Sequence, residues 1–344
     1  MVDDSERPGA EDSARRTRAE GHSPHLAGSS TDASLHAQLR AARTELESQV
    51  AHARAEFEVR NEKIKERTGR DLILAILIAL AIGAALVLSL IFIKGLFVVF
   101  ALAAAGLATF ELTRAMNTAR YRVDVVPQLI AGALLILAAY FFDAWVHWIA
   151  VFVAVATVIV CRLLSQMMAA DGRRYSDVLT DVLVSALVQL YVPFLASVCI
   201  VLVGQENGEW WVLGFICVAV AADTGAYAAG ISFGKHPMAP RISPNKTWEG
   251  FSGAVLASIG VGILVGIFLL GLPWWFGIIL GITILLTATL GDLGESMIKR
   301  DLGIKDMSSW LPGHGGVLDR LDSILPSTTA ALALYYLFSP MVTL

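Results

Sequence analysis

From residue 72 to the C-terminus the chain alternates long apolar runs with short polar connections, and the length of the runs sets the architecture. A helix rises 1.5 Å per residue, so about 20 apolar residues cross the hydrocarbon core of a bilayer. Runs of that order fall at 72–92, 95–114, 126–142, 145–164, 180–203, 210–230, 251–271, 274–294 and 323–340. They predict an all-α polytopic transmembrane bundle of about nine spans. Residues 1–68 follow no such pattern. The first thirty or so are polar and expected to be disordered, and Ala33–Arg67 is expected to form a polar helix with an irregular apolar stripe (Leu35, Leu39, Leu46, Val50, Phe57, Ile64). The start of the chain lacks the apolar core of a secretory signal peptide. The expected organisation is therefore an extension over 1–68, N-terminal transmembrane helices over 69–210, and a C-terminal catalytic transmembrane region over 211–344.

Composition agrees: 56% of residues are hydrophobic and 16% charged, which excludes a soluble globular chain. Charge placement then predicts orientation. Arg114, Arg120 and Arg122, then Arg162, Arg173 and Arg174, then Lys235, Arg241 and Lys246, then Lys299, Arg300, Lys305 and Arg320 all fall on one side of the nine-span topology. Lys94 is the basic residue of the opposite loops. Under the positive-inside rule this puts the N-terminus and the basic loops in the cytoplasm, in a multi-pass protein of the inner or plasma membrane. Six tryptophans (Trp145, Trp148, Trp210, Trp211, Trp274, Trp275) stand at the opposite ends, as an aromatic belt would. Cys161, Cys199 and Cys217 have no C-x-x-C spacing and read as packed or lipid-facing thiols.

Two cytoplasmic loops carry more chemistry than a connection needs. The first, ADTGAYAAGISFGKHPMAPRISPNKTWEGFSG, begins with Asp223 inside an apolar run, where an unpaired carboxylate is costly and is expected to face a cavity or a cation. Gly225, Gly230 and Gly234 permit close approach of backbone or ligand. Ser243, Asn245 and Lys246 sit in an expected rigid turn, and a short helix starting near Trp248 would aim its amides at the same place. The second loop follows GDLGESMIKRD, where Asp292, Ser296 and Lys299 share one helical face. Asp319 and Asp322, three apart, can point to one site, and Gly313-His314-Gly315-Gly316 offers flexible backbone amides for phosphate oxygens. Carboxylates beside cations fit metal-assisted phosphoryl or nucleotidyl transfer, with Mg2+ as the suited ion.

The stretch SMIKRDLGIKDMSSWLPGHGGVLDRLD (296–322) closely resembles the signature of phosphatidate cytidylyltransferases, also called CDP-diacylglycerol synthases. DTGAY (223–227), FGKH (233–236) and SPNKTWEG (243–250) are similar to that family too, in the same order. The resemblance implies transfer of the cytidylyl group of CTP to phosphatidate, with Mg2+ and room for a second cation. Its implied metal ligands are Asp292 and Asp319, with Asp223 and Asp322 next. It implies Lys299, Arg300 and Asp319 as catalytic groups. Ser243, Asn245, Lys246, Ser296, Lys305, His314, Gly315, Gly316 and Arg320 would bind substrate. CTP, phosphatidate and the lipid membrane are the expected partners, with a homodimer allowed and no nucleic acid. The alternatives are a cytidylyltransferase for another lipid phosphate, or an ion transporter using Asp181, Asp223 and Asp292, with Asp177 and Gln189 on the fifth span.

Overall fold

The computed structural model describes residue 45 and residues 72–169, 173–308, 310 and 315–341. The chain forms two compact units, 1–63 and 64–344, and apart from Glu45 the extension expected over 1–68 lies outside the described residues. The second unit is helical: α1 (Leu72–Phe92), α2 (Lys94–Ala119), α3 (Val125–Phe141), α4 (Ala144–Met168), α5 (Tyr175–Gln189), α6 (Leu195–Val203), α7 (Gly208–Phe233), α8 (Trp248–Leu264), α9 (Trp274–Asp301), α10 (Leu318–Leu321) and α11 (Ile324–Phe338). The all-α expectation needs one amendment. Pro237–Ala239 (β1) and Ser243–Thr247 (β2) pair as an antiparallel hairpin between α7 and α8. Ser243–Thr247 is thus a strand rather than the expected turn, which falls instead at Pro240, Arg241 and Ile242.

Among the described residues six helical segments are long and apolar enough to cross a membrane: Lys94–Ala119, Ala144–Met168, Tyr175–Val203, Gly208–Phe233, Trp248–Leu269 and Trp274–Asp301. The protein is a multi-pass membrane protein. The expected spans at 126–142 and 323–340 form helices shorter than these six: Val125–Phe141 has the 17 residues expected, and Ile324–Phe338 has 15 and passes into a 3-10 turn at Ser339–Met341. Tyr175–Val203 is one span despite Pro193, since a π turn at Leu190–Phe194 absorbs the proline's missing N–H. The helix at Trp248 is not short: Thr247 caps it, accepting from the Gly250 amide at 3.1 Å, and it continues across the bilayer.

Small residues decide which helices touch. A Cβ on Gly225 would sit 2.6 Å from the Ala257 Cβ and 2.7 Å from the Gly253 carbonyl, so α7 and α8 lie backbone to backbone. The glycines of the first loop therefore serve helix packing. Trp211 fixes the opposite end of the bundle, edge-on to Phe276 at 5.6 Å and to Tyr335 at 5.3 Å.

Asp181, the strongest polar feature of the fifth span, is buried and fully engaged. It accepts from the Arg122 amide at 2.9 Å and Arg162 Nη2 at 3.2 Å, and it pairs with Arg173. A carboxylate so neutralised fastens the 120–124 and 173–174 connections and leaves no charge for an ion path.

Candidate active site

Three pieces of chain meet at one end of the α7–α8–α9 group. Glu249, in the first turn of α8, accepts from the Lys235 amide at 3.1 Å and the His236 amide at 3.2 Å, folding the end of α7 back over the start of α8. The hairpin stands over that junction, and Arg300 at the end of α9 ties to it by donating to the Ile242 carbonyl at 3.1 Å. Between these elements lies an open cavity of about 350 Å³. Its charged and polar lining includes Asp223, Asn245, Lys246, Asp292, Asp319, Arg320 and Asp322, and its apolar lining includes Ala222, Ala226, Phe251, Ala254, Leu285 and Ala288. The lining thus combines charge with hydrocarbon.

The carboxylates are not equivalent. Asp292 forms an ion pair with Lys246 and accepts from Ser296 Oγ at 3.3 Å. Asp223 accepts from Ser323 Oγ at 3.3 Å, and Asp322 accepts from the Ser323 amide at 2.7 Å. Burial, reinforced by the charge of Asp292, pushes Asp322 up to about 7. An acid so destabilised, in a cavity it shares with Asp223 and Asp292, fits a site for a cation. Among the described residues no three acidic, His or Cys side chains converge as a ready-made cage. Mg2+ needs none, since it takes one or two carboxylates and completes its octahedron with water and phosphate oxygens.

Asp319 is organised more tightly. Its Oδ1 accepts from Lys299 Nζ at 2.8 Å, and its Oδ2 accepts from the Met307 amide at 3.0 Å and the Gly316 amide at 2.8 Å. Burial alone would raise its pKa, but Lys299 and the Gly316 amide outweigh burial and hold it below the usual carboxylate range. Lys299 also donates to Glu295 at 2.7 Å, so one ammonium bridges two carboxylates. Gly315 adopts φ +86°, open to glycine at little cost, and a Cβ on Gly316 would lie 2.7 Å from Glu111 Oε2 and 3.0 Å from Asp319 Oδ2. The paired glycines thus answer two separate demands, one on conformation and one on space.

Of the residues expected from sequence, Asp223, Asn245, Lys246, Asp292, Asp319, Arg320 and Asp322 line the same cavity. Lys299 touches it through Asp319, and Ser296 through Asp292. Ser243 sits at the start of β2, and Arg300 and Lys305 are outside the lining, Arg300 serving the hairpin. Gly315 and Gly316 stand behind Asp319, with the Gly316 amide given to that carboxylate rather than left open for phosphate. His314 lies outside the described residues. Two acids were missed. Glu295 is fully buried on the Asp292–Ser296–Lys299 face, three residues after Asp292, and the helical spacing itself could have flagged it. Glu111 lies some two hundred residues upstream of the loop it contacts, and no local pattern marks it.

Residues 73–338 match the model of the cytidylyltransferase family. The chain is 41% identical to the phosphatidate cytidylyltransferase of Mycobacterium bovis over 273 residues, 77% of this chain and 88% of that one. It is 39% identical to the phosphatidate cytidylyltransferase of Mycobacterium leprae, again over 77% of this chain and 88% of the relative. The match to the Brucella suis phosphatidate cytidylyltransferase is also 39% identical but spans 149 residues, 43% of this chain and 54% of that one. With a cavity lined by carboxylates, cations and apolar side chains, and with this extent of likeness, the chain belongs to the cytidylyltransferase family.

Proposed function

We propose that this chain is a phosphatidate cytidylyltransferase, which joins the cytidylyl group of CTP to phosphatidate and releases pyrophosphate, giving CDP-diacylglycerol for phospholipid synthesis. The observation that carries the reading is the mixed lining of the cavity: its acids and cations suit a triphosphate with its metal, and Phe251, Ala254 and Leu285 in the same lining suit the glyceride. The names of the curated relatives support the same assignment.

In this reading a phosphate oxygen of phosphatidate attacks the α-phosphorus of CTP as the bond to pyrophosphate breaks, and the leaving pyrophosphate keeps the electron pair. That oxygen is already ionised near neutral pH, so no strong general base is needed. The difficulty is to bring two anions together. Lys246 and Arg320 at the cavity wall would offset phosphate charge; Lys246, paired with Asp292 here, would exchange that partner for phosphate were Asp292 to hold a cation. Asp292 and Asp319 are assigned to hold Mg2+, with Asp223 and Asp322 behind them or on a second cation. Bound there, Mg2+ would neutralise the triphosphate and stabilise the leaving pyrophosphate. Lys299 keeps Asp319 ionised and oriented, a catalytic role exercised through its two carboxylate partners. Arg300, expected to be catalytic, is assigned instead to holding the hairpin, and Lys305, expected to bind substrate, is not among the cavity-lining residues.

The topology belongs to the same proposal. Nine crossings, with α1, α3 and α11 completing the six long segments, put the N-terminus, the hairpin and the 302–317 loop on the cytoplasmic side of the inner or plasma membrane, where CTP is found. The discriminating experiment presents purified protein with CTP, Mg2+ and a panel of lipid phosphates. Phosphatidate should be consumed at least tenfold faster than any other; preference for a different lipid phosphate would keep the family and change the substrate.

A further inference from the structure

Glu111 belongs to α2, far in sequence from the site, yet it is 1% exposed and entirely committed to the catalytic loop. Oε1 accepts from the Val317 amide at 3.0 Å and from the Ser308 hydroxyl; Oε2 accepts from the Leu318 amide at 2.9 Å. Asp319 follows directly, and its own Oδ2 holds the Gly316 and Met307 amides. Two carboxylates, one on α2 and one next to the loop, thus grip the same short stretch of backbone. Gly316 lies close to both, since a Cβ there would meet each of them. A buried carboxylate within a membrane helix is expensive unless well hydrogen-bonded, and here its three donors all come from the loop.

We infer that Glu111 is a positioning residue for cytidylyl transfer: it sets the height and orientation of the 315–319 backbone, and through it the Asp319 carboxylate that faces nucleotide and metal. The inference rests on the proposed reaction for its kinetic consequence, but its structural content stands without it. Glutamine at 111 offers one acceptor and one NH2 where three donors converge, so it must set donor against donor at Leu318 or at Val317 and Ser308. Aspartate keeps charge and both acceptors on a shorter reach.

The test uses full-length E111Q, E111D and S308A in lipid nanodiscs, with three readings: kinetics for both substrates, thermal unfolding, and hydrogen exchange at the Val317 and Leu318 amides. E111Q should lower kcat/KM for CTP at least tenfold, leave KM for phosphatidate within about twofold, and unfold within a few degrees of wild type. Exchange at Val317 and Leu318 should accelerate while the rest of α2 stays protected. E111D should recover part of the loss, and S308A, which deletes one donor without touching α2, should show a smaller loss of the same kind. The inference is overturned if E111Q keeps wild-type CTP kinetics, or if both substrates suffer equally in step with a lowered unfolding temperature and exchange along all of α2. Should E111Q fail to insert, S308A decides by the same readings: unchanged exchange at Val317 and Leu318 would sink the inference. If wild type itself leaves CTP and phosphatidate unreacted, the transfer reading fails, and the exchange data still decide whether Glu111 holds the loop.

Discussion

Lys299 stands between two acids in the interior of the site, and replacing it with methionine isolates its charge from its bulk. Its Nζ lies 2.7 Å from Glu295 and 2.8 Å from Asp319, with side-chain exposures of 14%, 0% and 7% for Lys299, Glu295 and Asp319. Lys299→Met keeps the apolar stem packed and leaves two buried acids without the ammonium that bridges them. Breaking a buried pair from one side costs about 3–5 kcal/mol, a large share of the roughly 5–15 kcal/mol that holds a domain together. The loss should be partly recovered in Lys299→Met/Glu295→Gln, where one of the stranded charges is gone, giving a coupling of at least about 1.5 kcal/mol in a double-mutant cycle. Equilibrium unfolding of the detergent-purified variants by denaturant measures both quantities. A single variant within about 1 kcal/mol of wild type, or strictly additive effects, would refute the bridging role and return Lys299 to the status of a phosphate contact that affects turnover alone.

Asp292→Ala should abolish CTP turnover in a protein that still inserts and folds; near-normal activity would remove Asp292 from the cation site. Gly316→Ala should reduce CTP turnover at least tenfold, because the added methyl lands 2.7 Å from Glu111 Oε2 and 3.0 Å from Asp319 Oδ2, and normal kinetics would show the loop is free to shift. Asp322→Asn tests the electrostatic strain. Burial and the neighbouring Asp292 raise Asp322 to about 7, so the folded state holds a proton there that the unfolded chain releases near the ordinary carboxylate value of about 4. The cost of the ionised buried acid is absent below about pH 4, grows as pH rises and is fully present above about 7. Without divalent cation, Asp322→Asn should therefore be more stable than wild type at pH 8, with the advantage shrinking towards pH 5. An advantage unchanged between those pH values would contradict the assigned cause.

The membrane helices were legible because their signal is length and apolarity, which a sequence displays directly. Helix ends were less so: α9 runs seven residues past the expected 294, to Asp301, since its polar last turns are stabilised by Lys299 and Arg300 contacts that hydropathy does not register. The hairpin at 237–247 was hidden by its brevity and its prolines, which read locally as a turn. Within the site, Asp223, Lys246, Asp292, Asp319 and Asp322 were recognisable as polar groups where polarity is costly, and they meet in one cavity. Their division of labour was not recognisable, because it depends on which cation faces which acid. Glu111 shows the limit most clearly. Two of its three partners, Val317 and Leu318, are backbone amides that any residues would supply, and the third, the Ser308 hydroxyl, lies nearly two hundred residues away, so no local pattern could have disclosed it.

The central claim is a transfer of one specific phosphorus, and positional labelling of CTP tests it most directly. Incubated with phosphatidate and Mg2+, protein given CTP labelled at the α-phosphorus should move the label into the lipid fraction, whereas label at the γ-phosphorus should appear only in pyrophosphate. Equal amounts of lipid-bound CMP and pyrophosphate are predicted, with both absent when phosphatidate or Mg2+ is withheld. γ-Label entering lipid, or CTP consumed without α-label in lipid, would contradict the account.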